Sequence, residues 1–287
     1  MATIRAIKKR IKSAKNISQI TKAMQMVAAA KMKKAQDQAE QGKPYSEKIH
    51  EAVSELSHGV DHRLHRLLGT GNPDGHTLVV LIATNKGLCG GLNTTLFRNT
   101  LKWFTDNQKA EFITLGKKGQ RYIVHSKWNL SADFSDEHHM INAVPAVTQL
   151  FTEGFLSGLY KDVYLVYNRF VNSLTQEPVL IQVLPLAIPG AFEKEDTTKK
   201  EWNEFIIEPS AKQVLEKLLP HYIETQIRSA ILEAEASEHS ARMVAMKNAT
   251  DNAKDLIDDL TFGYNRLRQE KITSEIADIV TARESMR

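Results

Sequence analysis

Residues 4–34 read IRAIKKRIKSAKNISQITKAMQMVAAAKMKK, and in them Ile4, Ile7, Ile11, Ala14, Ile17, Ile20, Met24 and Val27 recur at steps of three and four. That spacing is one apolar stripe of an α-helix, because 3.6 residues per turn bring such positions to one side. The stripe narrows to small residues at Ala28, Ala35 and Ala39, where a partner helix could approach closely. Between Ile4 and Ser57 only Gly42 and Pro44 act as helix breakers, and Gly42-Lys43-Pro44 is expected to loosen or kink the helix. At about 1.5 Å per residue, this segment would run roughly 80 Å.

The other end of the chain behaves the same way. Ser210 is a plausible N-cap, and Leu215, Leu218, Leu219, Tyr222, Ile223, Ile227, Ala230 and Ile231 follow it at helical spacing, with Pro220 expected to introduce a kink. Ala241, Val244, Ala245, Ala249 and Ala253 then form a small-residue stretch suited to the alanines of the first segment in an antiparallel pair. To Ser285 this second helix would run roughly 115 Å. It outruns the first by about twenty residues, or roughly 30 Å at helical rise. Its surplus end carries Leu267, Ile272, Ile276, Ile279 and Val280. A lone helix in water has no use for such a stripe, so a surrounding sleeve of other polypeptide is implied.

In the middle the period changes. Leu78-Val79-Val80-Leu81-Ile82-Ala83 is a short apolar run of the buried parallel-strand type. The glycine turn Gly87-Leu88-Cys89-Gly90-Gly91 leads to a helix through Trp103 and Phe104. Glu111–Leu115, Val163–Tyr167 and Val179–Leu184 read as further strands, with helices at Gly119–Ser126 and Val144–Leu159. The stretch from Ser57 to Gly75 reads as an exposed loop, Ile188–Lys200 as a surface loop and Trp202–Ile207 as an edge strand. The fold class that follows is α/β. It comprises a long antiparallel two-helix coiled coil formed by the N- and C-terminal helices, with a central Rossmann-like α/β domain. The expected partition is 1–57 for the first helix, 77–207 for the globular domain and 208–287 for the second helix.

Composition narrows the functional classes. No apolar run reaches the 18 residues a transmembrane helix needs, and no apolar segment follows the N-terminal charges as in a secretory signal. Cys89 is the single cysteine, which rules out an internal disulfide and fits a reducing compartment. The net charge is only +4, yet residues 1–34 hold ten Lys or Arg and no acid. Uncompensated like charges repel along a helix, so this face invites an acidic partner, unless it is simply solvated.

Tests for chemistry return little. The turn at Gly87–Gly91 joins a strand to a helix, but Leu92 and Asn93 stand where a phosphate loop needs Lys and Ser or Thr. Gly116 and Gly119 around Lys117 and Lys118 do not complete one either, and the dinucleotide glycine pattern is absent. Cys89 lacks a sequence-adjacent base and reads as a structural thiol. His58, His62 and His65, and the pair His138-His139, lack the cysteines or the His-Glu-x-x-His spacing of a metal site. No cofactor, metal or catalytic residue is expected. A stand-alone helical scaffold or nucleic-acid-binding arm with an α/β head remains an alternative, as does an enzyme with a pocket in 77–185; the basic helix lacks the interleaved aromatics that would favour nucleic-acid binding.

Four motifs in order carry a resemblance: residues 20–32 (ITKAMQMVAAAKM), 87–93 (GLCGGLN), 241–252 (ARMVAMKNATDN) and 268–280 (RQEKITSEIADIV). Through them the chain resembles, nearly end to end, the γ subunit of bacterial F-type ATP synthase. One departure is Thr281-Ala282, where family members usually carry Gly-Ala. The chloroplast-type insertion with its redox cysteine pair is absent. The resemblance implies a central rotary shaft without a catalytic site or cofactor of its own. The implied partners are a surrounding hexamer of α and β subunits, the ε subunit and the membrane c-ring, with no nucleic acid. The implied location is peripheral, at the cytoplasmic face of the bacterial plasma membrane. It further implies rotor–stator coupling positions at Met24, Arg242, Arg268, Gln269, Thr273 and Glu275, and a c-ring foot at Trp202, Phe205, Ile207 and Glu208.

Overall fold

The computed structural model describes residues 4–58, 67–69, 71–105, 110–137, 139–186, 208 and 210–286. In chain order the elements are α1 (Ile4–His58), β1 (His76–Ile82), α2 (Leu92–Phe104), β2 (Ala110–Leu115), α3 (Lys117–His125), β3 (Asn129–Asp133), a 3₁₀ turn (Met140–Ala143), α4 (Val144–Leu156), β4 (Tyr160–Phe170), β5 (Gln176–Leu184) and α5 (Ala211–Ser285). Residues group into two compact units, Met1–Ala29 with Arg242–Arg287, and Ala30–Ala241. The expected edge strand at 202–207 and the loop at 188–200 fall outside the described residues.

The first unit is an antiparallel pairing of the start of α1 with the end of α5. Ile7, Ala14 and Ala28 from α1 and Met246, Thr250 and Ala253 from α5 are buried in it. Small side chains let the backbones come close, and Thr21 Oγ1 meets Thr250 Oγ1 at 2.7 Å across the seam. Thr250 Oγ1 also lies 2.8 Å from Met246 O and Thr21 Oγ1 3.0 Å from Ile17 O, so one hydroxyl donates across the seam while the other accepts there and donates to its own helix. The seam does not take all of the α1 stripe: Ile17, Ile20 and Val27 are more than half exposed.

In the second unit the sheet order is β3-β2-β1-β4-β5. β1, β2, β3 and β4 run parallel, and β5 returns antiparallel to β4. β1 is the central strand because its side chains are apolar on both faces. Leu78, Val80 and Ile82 join one core and Val79, Leu81 and Ala83 the other. On the second side α2 and α3 cover the sheet with Leu96, Phe104 and Ile123, and Phe97 stacks on Tyr122 with ring centres 4.3 Å apart. On the first side α4 supplies Val144, Val147, Phe151 and Phe155. The placement follows from right-handed crossovers: β2 and β3 lie to one side of β1 and β4 to the other, so the connecting helices divide between the two faces. Gly116 turns β2 into α3 at φ 102°, and a Cβ there would stand 2.1 Å from Ala83 O.

The long helices complete the first face. Ile49 and Val53 of α1 share its core with Leu215, Leu219, Ile223, Ile227 and Ile231 of α5. His50 Nδ1 lies 3.0 Å from the Tyr222 hydroxyl, with the two rings stacked. Both helices run unbroken through their prolines, Pro44 and Pro220. Ser210 does cap α5, its Oγ accepting from Gln213 N at 3.4 Å.

Three readings are corrected. β3 is a strand that its sequence does not announce, since Asn129-Leu130-Ser131-Ala132-Asp133 offers only two apolar side chains, both half-buried at the sheet edge. The presumed exposed loop before Gly75 buries Leu67 and Leu68, and Leu186 N donates to Leu67 O. α3 runs Lys117–His125, starting two residues before the expected Gly119, and α4 ends at Leu156, short of the expected Leu159.

Close packing at the seam makes size the decisive variable there. Ala28 is 2% exposed. Ala28→Leu is expected to cost about 1–3 kcal/mol by forcing the helices apart. Ala30→Leu, on the exposed side, should stay within about 0.5 kcal/mol. Unfolding followed by helix signal in denaturant measures both, and equal midpoints for the two variants would contradict the seam.

Candidate functional site

The sequence-derived positions sort into two groups by burial. Met24, on α1, is half-buried, and Arg242, on α5, is 9% exposed, both in the paired part of the first unit. Arg268, Gln269, Thr273 and Glu275 are all exposed, as is every described residue from Arg268 to the end of the chain. Glu275 receives Lys271 Nζ at 3.5 Å, and Arg266 Nε reaches Glu270 at 3.0 Å. These are intrahelical surface pairs, each worth a few tenths of a kcal/mol. Of the foot residues, Glu208 is exposed, while Trp202, Phe205 and Ile207 lie outside the described residues.

Helical geometry arranges the exposed end into a surface. At 100° per residue, Arg268, Ile272, Glu275 and Ile279 share one face, and Gln269, Thr273, Ile276 and Val280 the adjoining one. Ile272 is 47% exposed, Ile276 57%, Ile279 69% and Val280 54%. Each apolar face therefore carries its own polar or charged groups at fixed heights. That arrangement suits a surface which slides on apolar contact and engages at discrete angles. Thr281, at the departure from the family pattern, donates to Ala277 O at 2.9 Å and so keeps its hydroxyl within the helix.

The central sheet has the geometry at which α/β proteins often bind ligands. Where strand order reverses, the crevice lies beyond the carboxyl ends of β1 and β4. Here Thr84, Leu92, Met140 and Asn168 line it, and Ala234, Glu235 and Glu238 of α5 lie over it. The void left is about 10 Å³, room for one water at most. The neighbouring helix N-terminus is engaged as well: Lys117 N donates to Asn85 Oδ1 and Lys118 N to Thr84 O. Cys89 is buried, with Asn93 Nδ2 3.5 Å from its Sγ. Leu88 and Gly90, at φ 63° and 60°, shape the turn around it. Among the described residues no group of three or more His, Cys, Asp and Glu could hold a metal ion. His62, His65 and His138 lie outside the described residues.

Sequence reasoning missed a set of acids on α5. Burial pushes the Glu233 carboxyl above the usual range, opposed by a hydrogen bond from Tyr167 and by the Arg169 charge. Among the described residues its Oε2 has no hydrogen-bond partner. Tyr167 is pushed up in turn, first by burial and then by Glu233. Glu235 is also raised, by burial and by Glu238, against the charges of His139, Lys31 and Lys34. A signal was available, since Glu233 stands three residues beyond Ala230 on the same inward stripe.

The family model described as ATP synthase matches residues 3–286. The ATP synthase gamma chain of Methylacidiphilum infernorum is 41% identical over the full length of both chains. That of Dehalococcoides mccartyi is 40% identical over 98% of each. Among solved structures, the rotor of the Euglena gracilis mitochondrial ATP synthase superimposes with a TM-score of 0.62 at 20% identity, covering 94% of this chain and 98% of that one. The central stalk and c-ring structure of the Tetrahymena thermophila mitochondrial enzyme gives a TM-score of 0.58 at 24% identity, over 80% and 99%. The two structures share the fold of paired terminal helices and central sheet.

The buried acid yields a pH-dependent expectation. Because its folded-state pKa is raised, the folded chain retains a proton that the unfolded chain has released. Stability contributed at this position therefore falls as pH rises from the ordinary glutamate range through the raised value. Glu233→Gln keeps an acceptor for Tyr167 and removes the charge. Its melting temperature should match the parent near pH 4 and exceed it at pH 8. A difference that does not change with pH would contradict the burial argument.

Proposed function

The chain belongs to the ATP synthase gamma chain family, and from that premise we propose that it is the central rotary shaft of a proton-translocating ATP synthase. The observation that carries this reading is the bare end of α5, where apolar side chains stand in water at helical spacing. Other polypeptides must take up that surface, and the α and β subunits around a shaft would do so. The ε subunit and the membrane c-ring are the partners at the opposite end. Rotation of the ring turns the shaft, and the shaft's unequal faces change the affinity of each β site in sequence.

The chemistry on this reading belongs to β, and this chain contributes work. One charge crossing about 100 mV yields about 2.3 kcal/mol, so several translocations must be pooled for one demanding step. The terminal segments 1–57 and 208–287 serve as the axle and 77–207 as the body that receives torque. Met24 and Arg242 act within the paired helices. Arg268, Gln269, Thr273 and Glu275 make the angle-specific contacts at the end, and Trp202, Phe205, Ile207 and Glu208 form the foot toward the ring. Among the described residues no helix is long and apolar enough to cross a membrane. A peripheral position at the cytoplasmic face, reached through the complex, is the location we propose.

Retention in the complex tests the reading. From a membrane extract washed at high salt, the tagged chain should bring down two larger ATPase subunits in excess over itself. Full burial of an isoleucine is worth about 1.5–3 kcal/mol. Ile276→Asp with Ile279→Asp should therefore lower retention at least tenfold. Recovery of the chain alone at every salt concentration would sink the proposal.

A further inference from the structure

We propose that Glu233, Ser237 and Ser240 of α5 form the joint by which the central sheet grips the helix, so that torque passes through directional hydrogen bonds as well as apolar packing. This inference rests on the shaft reading. The three residues sit at i, i+4 and i+7, one face of α5 over about 10 Å of helix axis. All three engage the β4–β5 hairpin. Glu233 hydrogen-bonds the Tyr167 hydroxyl. Ser237 Oγ donates to Asn168 O at 2.9 Å, and Ser240 Oγ donates to Ser173 O at 2.7 Å. Both serines are fully buried.

The acceptors explain why hydroxyls stand there. Asn168 pairs across the hairpin with Pro178, which has no N–H to give. On its other side the pairing of β4 with β1 ends at Val166. The carbonyl of Asn168 is thus left at the margin of the ladder, and Ser237 supplies a donor to it. Ser173 lies in the hairpin turn, where Asn172 Oδ1 accepts from Leu174 N at 2.9 Å and from Thr175 N at 2.8 Å. The turn is held in shape by its own side chain and then fastened to α5 by Ser240. Gln176 Nε2 stands 3.5 Å from the same hydroxyl.

Register is what such bonds add. Apolar surfaces of similar curvature tolerate small sliding and rolling, since the hydrophobic effect has no direction. A hydroxyl buried against one carbonyl does not. A roll of α5 by one residue would carry all three groups off their partners together and leave buried donors and acceptors unpaired. Ser237 and Ser240 are positioning residues on this account: they hold the sheet and the helix at a fixed angle while load is applied.

The test uses the assembled synthase in sealed vesicles, comparing the parent with Ser237→Ala/Ser240→Ala. ATP hydrolysis by the detached soluble sector draws no load through the joint and should be unchanged. Proton pumping per ATP hydrolysed should fall to half or less as the opposing gradient builds. Ser173→Ala, which leaves the accepting backbone carbonyl in place, should pump as the parent does. An unchanged ratio in the double variant at every load overturns the joint. Should the double variant not assemble, Ser240→Ala alone is read the same way, with the same two outcomes. Failure of the shaft reading looks different, because the chain would then not be retained with the ATPase subunits at all.

Discussion

A helix keeps its apolar stripe only where some other surface covers it, and that constraint organises this molecule. Isolated helices owe little to their own hydrogen bonds in water; tertiary contact along one face supplies most of their stability. α5 meets three different environments along its length. Its first turns sink Leu215, Leu219 and Ile223 into the core beneath the sheet. Its middle packs Met246, Thr250 and Ala253 against α1. Beyond Leu267 every described residue is exposed, and the stripe goes on regardless. The surplus apolar surface is the part of the sequence that this fold alone does not use.

The same helix governs what the central sheet can do. Doubly wound sheets offer a ligand crevice where the strand order reverses, and this one has that reversal between β1 and β4. Ala234, Glu235 and Glu238 fill it. A site that could have housed a nucleotide has become a socket for α5. Charge follows the same logic. Acids on the socket side of α5 are held above their usual pKa by burial, at some cost to stability near neutral pH, and stand against Lys31, Lys34 and His139. Buried polar groups of this kind fix one arrangement among several that apolar packing would accept.

Much of this was legible in the residues. The run Leu78–Ala83 announces a strand buried on both faces, and its alternate side chains do divide between two cores. Steps of three and four gave both long helices to within a residue or two, because periodicity sustained over many turns outweighs a single proline. Short or half-polar elements escaped. β3 is an edge strand whose pairing with β2, rather than its own composition, makes it a strand. Leu67 and Leu68 sit in a glycine-bounded stretch with no period to betray their burial. The polar contacts of Ser237 and Ser240 join residues some 70 positions apart, and no local pattern encodes such a meeting. The coupling positions proposed on the α5 end come from the resemblance alone, and what the fold adds is their exposure.

Hydrogen exchange along residues 268–285 tests the central claim most directly. In the isolated chain these amides belong to an uncovered helix end and should exchange near the rate of a fraying helix. In the assembled complex the account predicts slowing by orders of magnitude over this segment, with little change at the buried strands β1 and β4. Fast exchange of residues 268–285 that persists in the complex would mean that nothing surrounds the end of α5, and the shaft would lose its bearing.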